Sequence, residues 1–233
     1  MKISVIKHNI KQIPILELVE DKFLLKKRPL IIYLHGHTSS KYNTLNEGYA
    51  LAEQGYRVVL MDLPYHGDRT DPKNPVDEAK TMIKIFDQSL KDLNTLYAHY
   101  SNLDLIYDNT VGLVGESLGG IITNIALCKY DWISLAVPLM ASPKLSDFLS
   151  SEANKTIKSD FMNKILELIL KTYKTYDLSL NPERIDGRPL LMWNDFEDEV
   201  VPYQQSYNFY MAVKDNDYAK NLKIVNTNGS GHR

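Results

Sequence analysis

The feature that most constrains the fold is a series of continuous apolar runs, of which Leu30-Ile31-Ile32-Tyr33-Leu34 is the clearest. A strand with one wet face alternates apolar and polar residues, so an unbroken run has to be covered on both sides. Tyr56–Met61, Thr110–Val114, Ser134–Leu139, Leu190–Trp193 and Leu222–Val225 read as further strands. Between them lie segments of helical periodicity, at about Thr44–Gln54, Val76–Tyr100, Gly119–Lys129 and Tyr203–Ala212. Gly55 follows the first of these helices and suits the left-handed residue that closes one. Strands alternating with helices imply the α/β class, with a mostly parallel central sheet and helices on both faces. Right-handed crossovers then gather the residues that follow each strand along one edge.

Some segments depart from this rhythm. Ile13–Leu18 reads as an early strand hairpinned with Ile3–Ile6, and Leu63–Pro75 is a polar, proline-rich loop. Between Pro143 and Gly187 no strand is legible, only the amphipathic helix Phe161–Tyr173. The expectation is a single domain over 1-233, with residues 143-187 inserted as a small helical cap above the carboxyl edge of the sheet. No internal repeat or low-complexity linker interrupts it.

Composition excludes several function classes. With 44% hydrophobic residues and 27 Lys+Arg against 29 Asp+Glu, the chain has neither the charge excess nor the apolar deficit of a disordered protein. Lys26-Lys27-Arg28 is the only short basic run and reads as a solvated turn before a strand, so no nucleic-acid partner is expected. The single cysteine, Cys128, rules out an internal disulfide and Cys-rich zinc sites, and reads as a packed apolar residue of its helix. Met1 to Lys11 lacks the apolar core of a signal peptide, and no stretch approaches the roughly 20 apolar residues of a membrane helix. A cytoplasmic protein with no membrane partner is the expectation.

The chemistry concentrates in four short segments. Gly115-Glu116-Ser117-Leu118-Gly119 fits G-x-S-x-G between a buried strand and a helix, the setting in which a serine is held exposed on a sharp turn as a nucleophile. The helix that begins there turns its free N–H groups toward developing negative charge. Leu34-His35-Gly36-His37-Thr38 follows the first buried strand. An oxyanion needs two preorganised donors; the N–H of Leu118 and that of His37 are the candidates. His35-x-His37 also has the look of a metal pair, but no Asp-His follows to complete it, so no metal or other cofactor is expected.

The third segment, Asn194-Asp195-Phe196-Glu197-Asp198-Glu199-Val200-Val201-Pro202, offers four acids to orient a base histidine. Asp198, at the head of D-x-x-V-P, is preferred, with Asp195 second. The fourth, Asn228-Gly229-Ser230-Gly231-His232, is a flexible loop able to carry a histidine base, and Ser117, Asp198, His232 is the chain order of α/β-hydrolase triads. His35, His66 and Trp193 are candidate pocket residues. His8 and His99 read as surface histidines, Asp68 and Arg69 as an ion pair fixing their loop, and Tyr203, Tyr207 and Tyr210 as packing against the sheet.

On these motifs the chain resembles the α/β-hydrolase superfamily, and within it the compact bacterial prolyl-oligopeptidase-like and dienelactone-hydrolase-like esterases. The matching pieces run in family order: Tyr33-Leu34-His35-Gly36, Leu63-Pro64-Tyr65-His66-Gly67-Asp68-Arg69, Gly115 to Gly120, Tyr130-Asp131-Trp132-Ile133, Met140-Ala141-Ser142-Pro143, Asp198 to Pro202 and Gly231-His232. The resemblance implies Ser117 as nucleophile, Asp198 as acid, His232 as base, and the His37 and Leu118 amides as oxyanion hole, acting on a small-molecule ester. It also implies a helix after the histidine; the sequence stops at Arg233, so the expectation is either a sequence cut short or His232 on an unanchored end. A base histidine makes activity fall in mild acid. Peptidase, thioesterase and acyltransferase use the same triad, and a non-catalytic binding protein could use the same scaffold. A haloalkane dehalogenase would carry Asp where Ser117 stands.

Overall fold

The apolar runs become the strands of one sheet. The computed structural model describes residues 1–70, 78–147 and 160–232. Its elements are β1 (Ile3–Ile10), β2 (Ile13–Glu20), β3 (Arg28–Leu34), α1 (Leu45–Glu53), β4 (Arg57–Met61), α2 (Glu78–Asn102), β5 (Ile106–Glu116), α3 (Leu118–Lys129), β6 (Leu135–Leu139), α4 (Asp160–Tyr173), β7 (Leu190–Asp195), α5 (Gln204–Val213) and β8 (Leu222–Thr227). The sheet has 8 strands in the order β1-β2-β4-β3-β5-β6-β7-β8. β1 and β2 pair antiparallel, as do β2 and β4; every neighbouring pair from β4 across to β8 is parallel.

Both faces of the sheet are packed at its centre, which is why Leu30–Leu34 of β3 and Val58–Met61 of β4 are buried without alternation. Leu30, Ile32, Leu34 and Leu113 belong to the larger core, with Phe86 and Leu93 of α2, Ile122 of α3, and Phe209 and Val213 of α5. Ile31, Tyr33, Leu60 and Val114 point the other way and pack with Ala52 of α1. In α3 every residue from Leu118 to Cys128 is buried, so this helix lies wholly inside the molecule. Burial pushes the Cys128 thiol up to about 12, as suits a packed rather than a reactive cysteine.

The chain passes from β3 to β4 on one side and then to β5 on the other. That reversal opens a crevice at the carboxyl ends of β3 and β5, the usual ligand position in such sheets. The loops after β3, β4, β5, β7 and β8 all reach this edge, and they carry His37, His66, Ser117, Asp198 and His232.

Several elements differ from the sequence reading. β5 is longer than Thr110–Val114 because it contains a register shift between Arg28 and Leu30 of its partner. Asp108 and Asn109 absorb that shift at φ 48° and 50°, and these turn-forming residues mask the strand in the sequence. α5 buries Ser206, Phe209 and Val213; Tyr210 packs at the core margin, while Tyr207 is 42% exposed and Tyr203 stacks edge-on against Phe196 instead. Asp68 and Arg69 do fix their loop, but not through each other: Asp68 pairs with Lys7 and Lys41, and Arg69 with Asp92. His8 and His99 are half-buried beside Glu17 and Tyr100 rather than free on the surface.

The end of the loop read as Leu63–Pro75 and the first residues of the helix read from Val76 lie outside the described residues, as do 148–159 of the stretch 143–187. Among its described residues that stretch holds no strand, and Tyr173 at the end of α4 packs edge-on to Phe86 and donates to Asp87 Oδ1 at 2.5 Å. Among the described residues no helix is long and apolar enough to cross a membrane.

Leu113 is fully buried in β5, in the core that it shares with residues of α2 and α3. Leu113→Ala is expected to remove about 3 kcal/mol of stability through lost burial and the cavity left behind. A lower urea midpoint at unchanged slope would show it.

Candidate active site

Ser117 leaves β5 and precedes the first residue of α3 with φ 50° and ψ −111°, a conformation that costs strain for any residue bearing a side chain. The surroundings impose it. A Cβ on Gly115 would run into the Gly119 carbonyl, and one on Gly119 into the Leu34 carbonyl, so β3, β5 and α3 meet at a distance only glycine allows. The Ser117 N–H donates to Leu139 O at 2.9 Å, tying the turn to β6 as well. The chain continues straight into α3, whose first residue, Leu118, contributes one of the unsatisfied N–H groups of a helix start.

His232 bridges serine and acid. Its Nε2 lies 2.9 Å from Ser117 Oγ and its Nδ1 2.8 Å from Asp198 Oδ2. Asp198 has no exposed side-chain surface, and its Oδ1 accepts the N–H groups of Val200 (2.9 Å) and Val201 (2.8 Å). With Oδ1 taken by two N–H donors and Oδ2 facing the ring, the carboxyl group serves as acceptor: Nδ1–H donates to it, and Nε2 faces the serine hydroxyl. Of the four acids in the loop, the one facing His232 is thus Asp198. Asp195 is buried nearby and faces backbone and hydroxyl donors instead.

The loop after β3 passes directly over the serine. A Cβ built on Gly36 would stand 3.5 Å from that of Ser117, which brings the neighbouring His37 to the nucleophile. His37 is exposed, with its ring 5.4 Å from that of His66. His66 is mostly buried, and its Nδ1–H donates to Pro64 O at 2.8 Å. His35, read as a pocket residue, has no exposed surface and does not line one. Its Nδ1–H donates to Gly36 O at 2.7 Å and its Nε2 accepts Leu63 N–H at 3.0 Å, so it clamps the β3 loop to the β4 loop. With both nitrogens engaged, His35 is not free to ligate a metal, and among the described residues no cluster of three or more His, Cys, Asp or Glu is arranged to do so. Trp193 is half-buried on the sheet face opposite Met192, its carbonyl taken by Met140 N–H.

The sequence reading missed a second clamp. Lys41 and Asp62 are both fully buried, Lys41 Nζ standing 2.5 Å from Asp62 Oδ2 and 2.9 Å from Asp68 Oδ2. Asp62 also accepts the N–H groups of Lys41 and Asp68. Its signal was an acid placed directly after the apolar run Val58-Val59-Leu60-Met61.

Residues 29–161 match the family described as alpha/beta hydrolase fold. The chain belongs to that family. "Putative esterase YitV" of Bacillus subtilis (strain 168) is 31% identical over 237 residues, spanning 99% of this chain and 93% of that protein. "Esterase YjfP" of Escherichia coli (strain K12) is 25% identical over 214 residues, spanning 88% of this chain and 82% of that one. Among solved structures, TT1662 from Thermus thermophilus superposes with a TM-score of 0.74 at 17% identity, over 100% of this chain and 92% of that one. A protein titled "Putative Dienelactone Hydrolase" from Klebsiella pneumoniae does so at 0.68 and 16%, over 100% and 88%. At these identities the structural likenesses bear on the fold alone.

Within this α/β hydrolase, His35 carries a pH signature. Burial pushes it down to about 4, against the opposing hydrogen bond to Gly36 O. Burial lowers His66 as well. An unfolded histidine titrates near 6.5, so between about pH 6.5 and 4 the unfolded chain binds more protons than the folded one and stability is lost as the pH is lowered. His35 alone should withdraw about 3 kcal/mol across that window. Urea midpoints between pH 7 and 4.5 should show a steep loss in the wild type and a shallower one in His35→Gln, which cannot titrate.

Proposed function

We propose that this chain is a serine esterase that cleaves small carboxylic esters through an acyl-enzyme on Ser117. One observation carries the reading: a single histidine stands within hydrogen-bond distance of both a serine on a strained strand-to-helix turn and a buried carboxylate. Glycine and serine are common in turns, but this three-residue chain drawn from the ends of β5, β7 and β8 is what nucleophilic acyl transfer requires.

In the proposed reaction the ester carbonyl sits between Ser117 Oγ and the N–H groups of Leu118 and His37. His232 Nε2 takes the hydroxyl proton as Oγ attacks, and Asp198 stabilises the imidazolium that forms. The tetrahedral oxyanion is held by the two N–H groups, each worth about 3–4 kcal/mol in related chemistry. His232 returns the proton to the departing alkoxide. Water, activated by the same nitrogen, then releases the acid and restores the serine. No step calls on a cofactor. The segment 143–187 is the proposed cap, with substrate lying between it and the carboxyl edge of the sheet.

Esters are favoured over amides because both curated relatives are named esterases. The test is intact mass after a fluorophosphonate, run on wild type and Ser117→Ala. One adduct on the former and none on the latter is the expected outcome; an unmodified, folded wild type would refute the reading. Hydrolysis of p-nitrophenyl acetate should fall by about 10⁶ in Ser117→Ala and by about 10⁴ in Asp198→Asn, which leaves the imidazole in the wrong tautomer. An anilide substrate assayed alongside should turn over far more slowly than the ester.

A further inference from the structure

The esterase reading uses Asp198 and leaves Asp195 without a role, although Asp195 is the more deeply buried of the two, with no exposed surface. Its carboxylate is a junction between two loops. Oδ1 accepts the N–H of Glu197 at 2.9 Å, on the loop that carries Asp198. Oδ2 accepts the Thr227 hydroxyl at 2.9 Å and the N–H of Ser230 at 3.2 Å, on the loop that carries His232. The two loops also touch through Phe196 N–H and Thr227 O at 2.9 Å.

We propose that Asp195 is a positioning residue for the histidine: by gathering these donors it fixes the 228–232 loop, and so holds the His232 ring between Asp198 and Ser117. The proposal rests on the esterase reading and adds to it a residue that touches none of the reacting atoms. Packing alone does little for this loop. A Cβ on Gly229 would meet nothing within 4 Å, and one on Gly231 only the Glu197 carbonyl at 3.9 Å. Both glycines adopt positive φ, 86° and 59°, so the segment has conformational freedom to lose and few side-chain contacts to hold it. The hydrogen bonds to Asp195 supply that restraint.

The requirement is for a carboxylate in particular. Donors converge on it from Glu197, Thr227 and Ser230, and an ionised carboxyl accepts them all while presenting no donor of its own. Burial by itself would raise the Asp195 pKa; the hydrogen bonds from Glu197, Thr227, Ser230 and Gly231 outweigh it and hold the group below the usual carboxylate range. In Asp195→Asn, an isosteric change, an NH₂ group must face an N–H or O–H donor.

The experiment compares wild type, Asp195→Asn and Thr227→Val by timed fluorophosphonate labelling, p-nitrophenyl acetate kinetics and NMR of ¹⁵N-histidine-labelled protein. The NMR observable is the downfield Nδ1 proton of a histidine bonded to a carboxylate. Asp195→Asn should label as many sites per chain as wild type, but 10–100-fold more slowly, with kcat down in parallel and KM within about twofold; a displacement near 1 Å costs this much. Its Nδ1 proton signal should broaden or vanish. Thr227→Val, which removes one donor and keeps the carboxylate, should lie about threefold below wild type, and it is read by the same criteria if Asp195→Asn does not fold.

An unchanged labelling rate per site would overturn the proposal. So would activity that falls only in proportion to the labelled fraction, since that describes a loss of folded protein. Failure of the esterase reading looks different: wild type would not label at Ser117, whereas the Nδ1 proton would be present in wild type and lost in Asp195→Asn. If that proton is unaltered in Asp195→Asn, the positioning role is refuted whatever the reactivity.

Discussion

Gly119 lies against the carbonyl of Leu34, and Gly115 against the carbonyl of Gly119, each too near for a side chain. That close meeting of β3, β5 and α3 determines nearly everything else at the carboxyl edge. It forces the chain through the strained conformation at Ser117 and starts α3 one residue later. It also brings the β3 loop over the serine, where a Cβ on Gly36 would stand 3.5 Å from that of Ser117. Strain of this kind persists only where packing over-determines it, and α3, buried along its whole length from Leu118 to Cys128, provides that packing.

The loops around this turn are held by polar clamps more than by apolar contact. His35 links the β3 and β4 loops from a fully buried position, and Lys41 with Asp62 links them a second time. A buried ion pair recovers its desolvation cost only with good geometry and satisfied remaining atoms. Here Asp62 accepts two backbone N–H groups besides the ammonium, and Lys41 has a second carboxylate in Asp68. The consequence is that the loops after β3 and β4 are bonded to each other beside Ser117. On the opposite side, Asp198 is braced by Val200 and Val201, and Asp195 ties the two neighbouring loops together.

Much of this frame is legible in the residues themselves. Runs such as Leu30–Leu34 and Tyr56–Met61 announce doubly covered strands, and G-x-S-x-G between strand and helix announces the turn. Where local pattern and tertiary demand disagreed, the reading failed for identifiable reasons. Tyr107-Asp108-Asn109 has turn chemistry but lies within β5, because a bulge accommodates it against β3. The tyrosines of α5 occur at helical spacing, yet the face that meets the sheet is Ser206, Phe209 and Val213, so spacing identified a stripe without identifying which stripe faces inward.

The sequence by itself determined the α/β class and the parallel sheet, and it pointed to Ser117, to Asp198 ahead of Asp195, and to His232, because each depends on short-range pattern: unbroken apolarity, glycine spacing, an acid after a strand. Tertiary structure decided what distant segments do to one another. It turned His35 from a pocket residue into a buried clamp, paired Lys41 with Asp62, and gave Asp198 the histidine and Asp195 the backbone of its loop. These assignments are set by distances across the sheet between residues 21 to 35 positions apart. Separations of that kind become contacts only once β3, β4, β7 and β8 have been brought to the same edge.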